Sequence, residues 1–164
     1  MSEKTAKSRM EDVICNVLND DVLKGILEFI AYLRENKMNP VRASASSWKI
    51  YYKQCLVCTL RLGLDAKTLE INPIINEYKH DVLSDELKEI VWRNYKSHCG
   101  DKCHTCSYKL KTIFGRKYDY ACGYSVSFIN PNASEIECIK KLLEMRRNVI
   151  QNGKLMTALP RNFE

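Results

Sequence analysis

The stretch HCGDKCHTCSY, residues 98–108, holds three of the chain's eight cysteines and two of its three histidines. Cys99, Cys103 and Cys106 are spaced C-x3-C-x2-C, and Cys122 follows sixteen residues after Cys106. Thiolates are soft ligands that suit zinc, and a structural zinc site closes four ligands around the ion in a tetrahedron. A short loop containing Gly100 lets the backbone wrap around an ion, and a β-hairpin after the loop would carry Cys122 back to it. The expectation is a structural zinc site held by Cys99, Cys103, Cys106 and Cys122, with His98 and His104 as alternative ligands. Four cysteines also suit an iron–sulfur cluster, which colour would reveal. The competing reading is a polar loop of reduced thiols with Cys122 packed inside, because cysteine is among the most often buried residues.

Other cysteine chemistries fit less well. C-x3-C-x2-C matches, in spacing alone, the cluster motif of radical enzymes that cleave S-adenosylmethionine. Those enzymes place it early in a large α/β barrel, whereas only 58 residues follow Cys106 here. Covalent haem needs a histidine directly after the second cysteine, and the segment reads CHTCS. Cys55 and Cys58 form a second C-x2-C, CLVC. On a strand they would point to opposite faces and serve as packing residues. Cys15 and Cys138 fall in predicted helices as core or boundary residues. A cysteine nucleophile with a histidine base would have to draw on His80, His98 or His104. None of these has a diagnostic context, and no pair of acids is arranged for catalysis.

Two further constellations call for a ligand. Trp48, Tyr52 and Trp92, with Tyr51, lie where a helix crossing a sheet would enclose an apolar pocket; core packing is the alternative. Lys109, Lys111, Arg116 and Lys117 interleave with Tyr108, Tyr118 and Tyr120 on a predicted hairpin. That pattern supplies phosphate contacts and stacking for nucleic acid, and an ordinary exposed hairpin has the same composition. Charge points the same way. Residues 1–90 carry 13 Lys/Arg against 14 Asp/Glu, and residues 91–164 carry 13 against 6. The basic half would attract an anionic partner, or form a solvated face.

The elements that must position these groups follow from periodicity and caps. Residues 1–9 read as a flexible N-terminus. A short helix is predicted from Met10 to Val17. A stronger one follows, capped by Asn19 or Asp20, with Val22, Leu23, Ile26, Leu27, Ile30 and Leu33 on one face. Pro40 stops it near Asn39, and VRASASS reads as a loop. Trp48, Ile50 and Tyr52 alternate with Lys49, Tyr51 and Lys53, and Leu56, Cys58, Leu60 and Leu62 repeat the alternation. Two antiparallel strands turning at Lys53–Gln54 are expected, then a third around TLEIN that Pro73 ends. Ser84 caps a second clear helix whose apolar stripe is Leu87, Ile90, Val91 and Tyr95. Beyond the cysteines, Gly115 with Arg116 predicts a hairpin turn, and YSVSFI reads as a strand. Asn132 with Glu135 forms a capping box for the last helix, buried through Ile136, Ile139, Leu142, Leu143, Val149 and Ile150, with Gly153 as its C′ residue.

The order predicts an α+β fold with a mainly antiparallel sheet, helices packed on it and a cysteine-rich loop. A helix–three-strand–helix module over 10–98 is expected to pack as one unit with the segment 99–164. No G-x-G-x-x-G or P-loop sequence occurs. The start of the chain carries no secretory h-region and no apolar run spans a bilayer, so a cytoplasmic location is expected, where cysteines stay reduced.

The residues CxxC…KTIFGRKYDYAC…FINPNASEIECIKKLLEMRRNVI, with the hairpin SWKIYYKQCLVCTLRL, resemble a family of small bacterial proteins of uncharacterized activity. The similarity spans about residues 20–150. It implies a bacterial, cytoplasmic, α+β protein and groups Cys103, Cys106 and Cys122 in one pattern, which favours a joint role in which Cys99 is the member least supported by the resemblance. The functional expectation is a noncatalytic binding or regulatory module with a structural zinc site and a small-molecule or protein partner. A thiol- or iron–sulfur-dependent redox protein is the first alternative, and nucleic-acid binding through the basic C-terminal half is the second.

Overall fold

The computed structural model describes residues 9–18, 20–63, 67–75, 83–96, 111–118 and 126–153. Helix α1 (Met10–Cys15) leads to α2 (Asp20–Glu35). Four strands follow: β1 (Asn39–Ser44), β2 (Ser47–Tyr52), β3 (Cys55–Leu62) and β4 (Leu69–Pro73). Then come α3 (Asp85–Arg93), β5 (Lys111–Ile113), β6 (Arg116–Tyr118), β7 (Phe128–Ile129) and α4 (Ala133–Gln151). The fold is α+β. One antiparallel sheet has the order β1-β2-β3-β4-β7, and β5–β6 form a separate hairpin.

Local chemistry starts and stops these elements. Ser84 Oγ accepts from the Leu87 amide at 3.4 Å to cap α3. At α4 the Asn132 side chain accepts from the Glu135 amide at 3.0 Å, and the Glu135 carboxylate accepts from the Asn132 amide at 3.0 Å. These are the expected cap and capping box. Gly153 ends α4 with φ 71°, a left-handed position that glycine takes without strain. The expected turn between β2 and β3 is made by Lys53 and Gln54, both at positive φ. Two consecutive positive φ values match the right-handed twist of a hairpin. Of the two expected caps of α2, Asn19 lies outside the described residues and Asp20 is the first residue of the helix.

Helix α4 packs against β3, β4, α2 and α3, so the core lies between the sheet and the helices. The inner sheet face contributes Trp48, Ile50, Val57, Cys58, Leu60, Leu69, Ile71 and Phe128, all buried. The helices contribute Ile26, Phe29, Ile30, Leu33, Ile139, Leu142 and Leu143. Each fully buried large apolar side chain stabilises by roughly 1.5–3 kcal/mol. The far half of the chain closes the sheet: the Asn130 amide donates to the Leu69 carbonyl at 2.8 Å, and the Asn130 side chain accepts from the Leu69 amide at 2.7 Å.

Three local expectations are corrected. Of the segment VRASASS, residues 41–47, expected to be loop, residues 41–44 belong to an edge strand that begins at Asn39, in which Val41 pairs with Lys49 and Arg42 with Trp48. Its residues are almost all exposed, so no apolar alternation marks it. Cys55 and Cys58 do not straddle the sheet. Ile50 pairs with Cys58 and Tyr51 with Leu56, which leaves Val57 as an extra, bulged residue. The bulge re-phases β3, so both cysteines enter the core and Leu56 faces outward. The later hairpin turns at Phe114 and Gly115, not at Gly115 and Arg116. Phe114 is buried and sits at φ 45°.

Candidate functional site

Cys99, Cys103, Cys106, Cys122, His98, His104 and Lys109 lie outside the described residues, as does His80. What is described is the corner from which their segments depart and to which they return.

That corner is the C-terminal end of α3. Its apolar stripe buries Ile90 and Val91 against α4 and leaves Trp92 and Tyr95 half-buried at the rim. The Trp92 indole Nε1 donates to the Ile113 carbonyl at 2.8 Å. The Arg116 guanidinium lies 4.6 Å from the centre of the Trp92 ring, a cation–π contact. The rings of Tyr95 and Tyr118 meet at 3.8 Å between centroids. Together these contacts dock the β5–β6 hairpin on α3. Tyr95 also forms an isolated antiparallel bridge with Val126, and the Ser127 amide donates to the Asn94 carbonyl at 3.0 Å.

Residue 96, where the first cysteine-bearing stretch leaves, is therefore next to a residue that pairs with 126, where the second returns. The two inner ends, Lys111 and Tyr118, are cross-strand partners. One carboxylate ties the corner to the sheet. Glu70 Oε1, on β4, accepts from Ser127 Oγ at 2.5 Å and from Lys96 Nζ at 3.1 Å. Partial burial pushes the Glu70 carboxyl up. The hydrogen bonds from Ser127 and Lys96 and the charges of Lys96 and Arg61 outweigh that and hold it below its ordinary value. At Tyr118, burial raises the phenol despite the neighbouring Arg116.

The aromatic trio borders one core: Trp92 is partly buried and packs against the cluster that contains Trp48 and Tyr52. Trp48 and Tyr52 are core side chains, 3% and 5% exposed, and the Tyr52 hydroxyl accepts from Gln151 Nε2 at 2.7 Å. Trp92 is engaged by the hairpin through Ile113 and Arg116. Of the basic set, Arg116 is engaged with Trp92 and Lys117 is exposed; Lys111 is described in its backbone alone. Cys55, Cys58 and Cys138 are buried free thiols and Cys15 is an exposed one. Burial pushes the Cys58 thiol far up, and burial with the Glu135 charge pushes Cys138 to about 12. Thiols held protonated in this way are poor nucleophiles and poor ligands. Among the described residues, no group of three or more His, Cys, Asp or Glu could hold a metal ion, and no helix is long and apolar enough to cross a membrane.

Two residues that sequence reasoning missed organise the frame. Glu70 is one. The other is Arg146, which is 4% exposed inside α4 and donates Nη2 to the Leu56 carbonyl at 3.2 Å, beside the β3 bulge. Its signal was readable: position 146 continues the apolar stripe from Ile139 and Leu142 at helical spacing. Nothing in the sequence marked Glu70. A groove of about 470 Å³ between α2 and the start of α4 is lined by Lys24, Gly25, Glu28, Pro131 and Ile136 among others. The α4 amides there are already capped by its own Asn132. Comparison with protein-family models, with curated proteins and with solved structures finds no match.

Proposed function

We propose that this chain is a noncatalytic binding or regulatory module whose two cysteine-bearing segments are fastened by one structural zinc ion. Cys99, Cys103, Cys106 and Cys122 are the ligands in this reading, with His98 and His104 in reserve. The supporting observation is the convergence of all four segment ends at the α3 corner: Tyr95 bridges Val126 and contacts Tyr118, and Tyr118 pairs with Lys111. Cys99 is four residues from Tyr95, and Cys122 is four from both Tyr118 and Val126. An extended chain spans at most about 3.3–3.6 Å per residue, so four thiolates are within reach of one point beside this corner. A small hairpin docked by one indole and one ring pair gains from such a fastening, because metal binding adds directly to folding stability.

The reading predicts about one zinc per chain in protein purified without added metal. Removal of the ion by a chelator should lower the melting temperature. A brown preparation with visible absorbance would instead favour an iron–sulfur cluster on the same thiolates and a redox role. A bacterial, cytoplasmic setting belongs to this proposal and keeps the thiols reduced for metal.

A further inference from the structure

The five-stranded sheet has one face against the helices and one without a covering element among the described residues. Register and burial define the second face. Val41, Lys49, Thr59 and Asn72 form one row across β1 to β4, because each is the cross-strand partner of the next. Ser47, Arg61, Glu70 and Ile129 form the next row. Tyr51 and Leu56 pair in a third. Val41 and Ile129 are 52% and 51% exposed, the two exposed large apolar residues among those described, and they stand at opposite edges of this one face.

Positive charge outnumbers negative on the described part of the face. Lys49 and Arg61 are exposed. They occupy diagonal positions on the two adjacent strands β2 and β3, about 7–8 Å apart in such a register. Tyr51 follows Lys49 two residues along the same strand, on the same face and half-exposed. Arg61, Lys49 and Tyr51 thus make a stripe of two cations and one aromatic ring. Glu70 is the one carboxylate among the described residues of the face; it is hydrogen-bonded by Lys96 and Ser127 and stands across from Arg61, whose charge it offsets in part.

We propose that this face binds single-stranded nucleic acid, with Lys49 and Arg61 contacting phosphates and Tyr51 stacking a base. A sheet face carrying cations and a half-exposed ring suits a strand whose charge repeats and whose every base has a π-face. An acidic peptide would instead add to a sheet edge through its backbone. The backbone groups of β2 and β3 are already paired on both sides. The site is also distinct from the basic hairpin, where Arg116 is engaged with Trp92. It is built from described strands alone and does not rest on the zinc reading.

The test is fluorescence anisotropy of labelled oligo-dT and oligo-U, about a dozen nucleotides long, titrated with the full-length chain at about 50 mM and about 200 mM salt. Binding should weaken steeply with salt. Lys49→Glu with Arg61→Glu should weaken it at least about tenfold, and Tyr51→Ala about tenfold, the loss of one stacked base. The milder pair Lys49→Ala and Arg61→Ala should lower the salt slope by about two, which reads the same contacts without charge reversal. Circular dichroism of each variant should be unchanged. No binding at the lower salt overturns the proposal. So does unchanged binding by the sheet variants, or a loss seen only with Arg116→Glu and Lys117→Glu. Equal binding of poly-glutamate that is insensitive to Tyr51→Ala would identify a protein partner and overturn it as well.

Discussion

The sheet–α4 core and the α3 corner are held by different physics. The core joins elements far apart in sequence through apolar burial: Phe29, Leu60, Ile71, Phe128 and Leu143 are all fully buried. The corner uses few contacts, each with a polar component: an indole to a carbonyl, a guanidinium on a ring, two tyrosines in contact and a shared glutamate. Apolar burial is nearly indifferent to pH over ordinary ranges, and the charged contacts of the corner are not. The comparison locates where this molecule responds to its solution, and the responsive end is the one from which the cysteines depart.

Truncation of the core should have the largest effect. Phe29→Ala removes a fully buried ring between α2 and its neighbours and is expected to cost about 3–5 kcal/mol, measured by urea denaturation. That loss should be the same with and without a chelator. A chelator-dependent loss would dissolve the distinction between the regions. Trp92→Phe keeps the ring and removes the Nε1–H donor to Ile113, leaving that carbonyl short of a partner. It is expected to cost about 1–2 kcal/mol and to sharpen the chelator response, because the hairpin then depends more on the proposed ion. Asn132→Ala removes a cap from α4 and should cost about 1 kcal/mol with no change in chelator response.

The smallest effect is a pH dependence with a defined sign. Glu70 is held below its ordinary value in the folded chain. Its contribution is therefore fully present above the unfolded glutamate range and is lost as pH falls through the lowered folded value. Glu70→Gln should flatten that acid limb of the stability profile while leaving the neutral plateau of the core nearly unchanged. Hydrogen exchange at Ser127 and Lys96 should rise in the variant. An acid limb identical to that of the parent chain would remove Glu70 as the tie between sheet and corner.

What could be read ahead of the structure divides along the same line. The caps at Ser84 and Asn132, the turn at Lys53–Gln54 and the α+β order are set by residues within a few positions of each other, so spacing reveals them. β1 escaped because an exposed edge strand needs no apolar alternation; its pairing with β2 is carried by backbone bonds. The β3 bulge escaped because Val57 looks like any strand residue until its partner strand is known. Glu70 reaches Ser127 across 57 residues and Lys96 across 26, and a lone glutamate on a strand carries no mark of either. The cysteine cluster is the reverse case. Its spacing is plain in the sequence, and its cysteines lie outside the described residues, so the structure bears on it through the ends of its segments alone.

Metal content tests the central claim most directly. Protein purified without added metal should carry about one zinc per chain by elemental analysis, and Cys103→Ser or Cys122→Ser should lose it while retaining the circular dichroism of the core. A chain that carries neither zinc nor iron, and whose melting temperature is unmoved by a chelator, would contradict the account.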